Sequence, residues 1–208
     1  MLGKIMGQWE YKPNGHLGKF NHIRECIWVE VPREKVPGSA LHNRGVIGEL
    51  RGLVEYSKCV YANLRGEDAT VEKVRTGDWF QYLGPLELED AVGLYLQVER
   101  NYVIVPSTCK QSTPDVEGNL INRMTGKTAF FQVKSKGASI KNPDFDTFDG
   151  RVYVMTVSNQ RQLTSNNVEY ISAEQVETFL RTNRNILPTW LKFAVDRSKA
   201  SPITPHTA

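Results

Sequence analysis

The spacing of apolar and polar positions changes character near residue 77. Up to residue 76 the chain reads as short strand-like runs cut by turn residues: Ile23 to Val31 is rich in strand formers, and Pro13-Asn14-Gly15, Pro32 and Pro37-Gly38 punctuate it. This part predicts β structure. Gly7-Gln8-Trp9-Glu10-Tyr11 already has the look of a mid-sheet strand with nothing ahead of it to pair with, as expected of a truncated N-terminal domain. From Gly77 onward helical and strand signals alternate. Leu88, Ala91, Val92, Tyr95 and Leu96 recur at i, i+3, i+4, i+7 and i+8 and predict an amphipathic helix from about Leu86 to Glu99. A short strand over Tyr102 to Val105 follows. Asp115 to Arg123 and Thr128 to Lys136 then form a hairpin around Thr125-Gly126. Arg151 to Ser158 and Asn167 to Ile171 are further strands. Ser172-Ala173-Glu174-Gln175 is a capping box that starts a helix with Val176, Phe179 and Leu180 inward, and a last helix begins at Pro188. The expected class is α/β (α+β), a central mixed β-sheet flanked by helices. It divides into a small partial β-rich region over 1–76, a main domain over 77–197 and a frayed tail over 198–208.

The hairpin is where the pattern carries chemistry. Side chains alternate across a strand, so Ala129, Phe131 and Val133 share one face and Phe130, Gln132, Lys134 and Lys136 the other. On the partner strand Val116, Gly118 and Leu120 oppose Asp115, Glu117, Asn119 and Ile121. A turn centred on Thr125-Gly126 sets facing positions at numbers summing to about 251, which brings Glu117 beside Lys134 and Asn119 beside Gln132. Two carboxylates, an amide and two lysines then meet on one patch. Hard oxygen ligands of this kind can hold a magnesium ion, and a neighbouring ammonium can stabilise developing charge, the requirements of metal-assisted phosphodiester hydrolysis. Without further support, such a polar face is read as solvated surface.

Composition narrows the field. With 208 residues, 40% hydrophobic and 24% charged, the chain is that of a folded globular protein and excludes a disordered or fibrous one. Its longest apolar runs, Tyr102 to Pro106 and Val152 to Val157, fall far short of the roughly 20 residues that span a bilayer. The N-terminus lacks a secretory pattern, so a cytoplasmic location is expected. Cys26, Cys59 and Cys109 form no framework, which excludes a zinc ribbon and fits reduced thiols. The net charge of +3 is too small to argue for nucleic acid by itself, but its surplus lies in residues 1–76, with 12 basic and 9 acidic groups.

Thr113-Pro114-Asp115-Val116-Glu117, followed by Gln132-Val133-Lys134-Ser135-Lys136-Gly137, resembles the PD-(D/E)xK nuclease superfamily, in a restriction-endonuclease-like branch with a Gln-x-Lys motif. The resemblance extends to Leu88-Glu89-Asp90, where the family's first core helix often supplies a glutamate, and covers about Gly77 to Asp196. It implies a magnesium-dependent (or manganese-dependent) endodeoxyribonuclease of restriction or defence type that cleaves DNA, or less often RNA. Carried over by position, Glu117 is the first metal-binding acid with Asp115 beside it, Gln132 the second metal-ligand position, Lys134 the catalytic lysine and Glu89 the helix glutamate. Gln132 stands where an acid is commoner, so the site loses one formal charge and relies on Glu89 and Asp115. Lys110, Arg123, Lys127, Lys136 and Lys141 around the hairpin could follow a phosphate backbone, although lysines at this density are usual on any surface. Double-strand cutting needs two sites, which suits a homodimer, and a restriction-modification subunit is a partner such an enzyme can have. The neutral Gln132 also fits an alternative, a degenerate nuclease fold that binds DNA or a protein without cutting.

Gly7 to Pro13 and His22 to Trp28 more weakly resemble the closing strands of a PUA-like or EVE-like β-barrel, a module that often binds a modified or flipped base. Only its last part is present, so no working pocket is assigned. Trp9, Tyr11 and Trp28 are expected in a core, with base stacking as the other reading. His16 and His22 are read as surface residues. Ser107, Thr108 and Cys109 have no histidine near them in sequence to activate a nucleophile.

Overall fold

The computed structural model describes residues 1–13, 22–42, 52–69, 74, 78–109, 116–135, 145–157 and 165–198. At the N-terminus Leu2–Ile5 (β1), Glu10–Tyr11 (β2), His22–Ile23 (β3) and Cys26–Val29 (β4) make one antiparallel ribbon. At its base Leu2 faces Val29 and Ile5 faces Cys26. The ladder continues as Met6 N–H donates to the Glu25 carbonyl, and the Arg24 guanidinium then donates to the Gly7 carbonyl at 2.8 and 3.0 Å. At the tip Glu10 faces Ile23 and Tyr11 faces His22. Between Gly7 and Glu10 the first strand carries two extra residues, Gln8 and Trp9, a bulge that bends the ribbon. Leu2 and Val31 pack on the main core, whereas Trp9, Tyr11 and Trp28 are 68%, 63% and 59% exposed. The expectation that these rings lie in a core is therefore wrong. A strand aromatic is buried only where something covers its face, and the helix over Val54–Arg65 packs on the base of the ribbon, against Leu2–Ile5 and Cys26–Val29.

The first 76 residues are not all β. Gly38–His42 forms a short helix (α1) and Val54–Arg65 a longer one (α2). The latter ends at Gly66, whose φ of +71° lets its N–H reach back to the Ala62 and Asn63 carbonyls. Tyr56 and Val60 of α2 lie in the same hydrophobic core as Trp79, Leu88, Leu191 and Val195, so this core is continuous across residue 76. Pro85–Val98 (α3) starts with proline at the first turn, where a missing N–H costs nothing. It buries Leu88, Ala91, Val92, Tyr95 and Leu96, the positions that periodicity selects.

Tyr102–Ile104 (β5), Gly118–Asn122 (β6), Thr128–Lys134 (β7), Arg151–Thr156 (β8) and Val168–Tyr170 (β9) build a five-stranded mixed sheet in the order β5-β6-β7-β8-β9. The β5-β6-β7 part is antiparallel, and β8 and β9 are added in parallel. Leu120, Ala129, Phe131, Val133, Tyr153 and Met155 face the helices. On the reverse side Val152 and Val154 join Val116 and Phe145, with Phe130 and Phe148 against them. Ala173–Thr182 (α4) opens with the expected box, Ser172 and Gln175 each bonding the other's backbone N–H. Thr189–Arg197 (α5) follows Pro188. Among the described residues no helix is long and apolar enough to cross a membrane.

The β6-β7 register differs from the expected one. Gly118 faces Phe131 and Leu120 faces Ala129, so facing numbers sum to 249. The reason is the turn: Asn122 N–H donates to the Lys127 carbonyl, closing four residues centred one position earlier than Thr125-Gly126. The Asn122 side chain accepts from the N–H groups of Met124 and Thr125, and Gly126 takes φ +68°.

Candidate active site

A register change of two moves partners along the strand yet leaves every side chain on its own face. Asn119 thus pairs with Phe130 and not with Gln132, while Glu117, one residue ahead of β6, comes opposite Gln132 and within reach of Lys134. Glu117 N–H donates to the Phe131 carbonyl at 2.8 Å, which fixes this residue to the ladder. Gln132 Nε2 donates to Glu117 Oε1, and Lys134 Nζ donates to the same oxygen at 3.2 Å. Among the described residues no donor reaches Glu117 Oε2. Gln132 is 3% exposed, and the side chains of Lys134 and Glu117 are 29% and 21% exposed. The polar side of the hairpin is therefore a half-buried cluster and not a solvated surface.

Glu89 enters from α3. Burial, with Glu117 and Asp90 adding negative potential, pushes its carboxyl up to about 8, while Lys134 pulls the other way. Two carboxyl groups share the site with one ammonium and one neutral amide, and the proton that Glu89 holds at neutral pH relieves the repulsion between the acids. Glu89, Glu117 and the Gln132 amide oxygen offer the hard donors that magnesium or manganese prefers, and a divalent cation would offset the repulsion between the acids. No group of three or more His, Cys, Asp and Glu side chains able to share an ion occurs among the described residues, so the set depends on the amide. Asp115, Lys110, Lys136 and Lys141 lie outside the described residues. Arg123 is exposed in the β6-β7 turn, at the opposite end of the hairpin from Glu117, roughly 20 Å away by strand rise.

Sequence reasoning missed three neighbours of the site. Cys109 sits against Gly118, where an added Cβ would come within 2.7 Å of its sulfur. Partial burial raises its thiol, the carboxylates of Glu89, Asp90 and Glu117 push the same way, and a hydrogen bond with Thr108 opposes them. It is thus held as a thiol, unsuited to nucleophilic work. Asp90 stands exposed beside Glu89. Glu87, fully buried, accepts the Ser39 N–H at 2.9 Å and docks α1 onto α3. Its spacing from Asp90 and Leu88 gave no signal of this, since the partner is 48 residues away.

No family model matches the chain, and no curated protein or solved structure matches it either.

Proposed function

We propose that the chain is a divalent-metal-dependent nuclease of restriction-endonuclease-like type that hydrolyses phosphodiester bonds in DNA. The observation that carries this reading is the convergence of Glu117, Gln132 and Lys134 on one half-buried face, with Glu89 brought to it by α3. Glu117, Glu89 and the Gln132 amide would hold the magnesium or manganese ion, with Asp115 as a further acid from the adjoining segment. Such an ion, when bound, polarises a phosphoryl oxygen and lowers the pKa of a bound water. Lys134, carried on β7 and bonded to Glu117, would orient the attacking water and stabilise charge on the phosphate. Gln132 fixes the Glu117 carboxylate through its amide N–H and adds no charge of its own.

Relaxation of supercoiled plasmid in magnesium tests this reading. Wild type is expected to cut, and Lys134→Ala and Glu117→Ala to lose about 100-fold or more. Equal activity in all three proteins removes the assignment.

The amide at position 132 favours a second reading, a nuclease fold that binds DNA without cutting. Salt-dependent DNA affinity with no cleavage in any divalent metal would select it.

A further inference from the structure

Exposed cations and the most exposed aromatic rings among the described residues coincide on the N-terminal ribbon, far in sequence from the site described above. Among the described residues of the ribbon Lys4, Lys12 and Arg24 stand against Glu10 and Glu25, and Lys12 pairs with Glu10 at 3.1 Å, which leaves Lys4 and Arg24 as cations with no carboxylate partner among them. The described residues from Lys4 to Pro13 are all exposed. Of the four tryptophans, Trp79 and Trp190 are buried, while Trp9 and Trp28 stand out on the ribbon.

The rings are held and not loose. The Arg24 guanidinium, tied to the Gly7 carbonyl, lies 5.4 Å above the Trp9 ring, and His22 meets the Tyr11 ring edge-on at 5.3 Å. Trp28 lies across Gly3, where an added Cβ would come within 2.7 Å of the indole. Glycine is thus what lets this ring lie flat on the ribbon.

We propose that the N-terminal β-ribbon is a binding arm for single-stranded nucleic acid, with Trp9, Tyr11 and Trp28 as stacking surfaces for unpaired bases and Arg24 and Lys4 as phosphate contacts. Flat aromatic faces beside fixed cations match a polyanion with exposed π-faces, and stacking of this kind tolerates any sequence. The cations Arg24 and Lys4 on the same ribbon as the rings favour that occupant over an apolar partner surface. A base inside a duplex has both faces covered, so single strands should bind more tightly than duplex.

The test uses the full chain in a chelator with fluorescein-labelled oligo(dT) of 20 nucleotides, read by anisotropy and by quenching of tryptophan emission. Wild type should bind, with partial quenching from the two exposed indoles and weaker binding at higher salt. Trp9→Ala combined with Tyr11→Ala should lower affinity tenfold or more, and Trp9→Phe should recover most of the Trp9 share. Both positions are exposed, so circular dichroism should be unchanged. Three outcomes overturn the proposal: no binding by wild type, binding unaffected by the double substitution, or a wild-type dimer in sedimentation that the same substitutions dissociate. Because the binding assay is metal-free, absence of plasmid cleavage by wild type together with retained oligonucleotide binding refutes only the nuclease reading.

Discussion

At the scale of single residues the site is defined by a carboxyl group that holds its proton beside an ion pair. Glu89 keeps its proton in the folded chain up to about 8, whereas in the unfolded chain it loses it near 4.5. Between these values the folded state binds more protons than the unfolded one, so the contribution of Glu89 to stability is greatest below pH 4.5 and is lost as pH rises through about 8. Glu89→Gln, which stays neutral, should remove that part of the decline. The check is the urea midpoint of both proteins at pH 5.5 and 8.5: wild type should lose more on going to pH 8.5. Parallel changes in the two would show that Glu89 is not held in this way. Gln132 behaves differently. Buried among acids, it supplies a hydrogen bond without a further charge, so it stabilises Glu117 where a third carboxylate would repel it.

At the scale of elements, the hairpin and its neighbours depend on a few backbone conformations. Gly150, with φ +151°, starts β8 beside β7, and an added Cβ would stand 2.4 Å from the Thr128 carbonyl oxygen. Gly150→Ala should therefore cost about 1–3 kcal/mol in denaturant unfolding. A cost under a few tenths would mean that the β7-β8 start has room to shift. Much at this scale was readable beforehand. Strict alternation over Thr128 to Lys134 gave the faces, and the Leu88-to-Leu96 spacing and the Ser172 box gave α3 and α4. The β6-β7 register was misjudged by two because four turn residues with one φ > 0 glycine admit more than one centre. The faces survived since the error was even. The α2 helix was missed for a physical reason: Val54, Tyr56, Cys59, Val60 and Tyr61 favour strands in isolation. The spacing of Leu53, Tyr56, Val60 and Leu64, ending at Gly66, was the available helical signal.

At the scale of the whole molecule, what the sequence could not reveal is which faces find partners. Trp9 and Trp28 have the composition of core residues and lie outside it, while Gln132 has the composition of a surface residue and lies within. Both depend on contacts between distant segments. The same holds for α2, whose Tyr56 hydroxyl donates to the Lys35 carbonyl at 2.7 Å and whose ring meets Phe193 of α5 edge-on at 5.4 Å. Unfolding should accordingly be one event: Val60→Ala and Leu191→Ala should each lower a single transition, seen alike by tryptophan emission and far-ultraviolet circular dichroism. Two separable transitions, only one of them moved by Val60→Ala, would refute this. The shared core also limits heredity. A segment limited to 77–197, transplanted by recombination into another protein, would arrive with Phe193 stripped of the α2 ring that packs on it. Its sticky surface would favour clumping. The portable unit of this fold therefore begins upstream of its sheet, and any relative that inherits the hairpin chemistry must also inherit, or reinvent, a cover for α5.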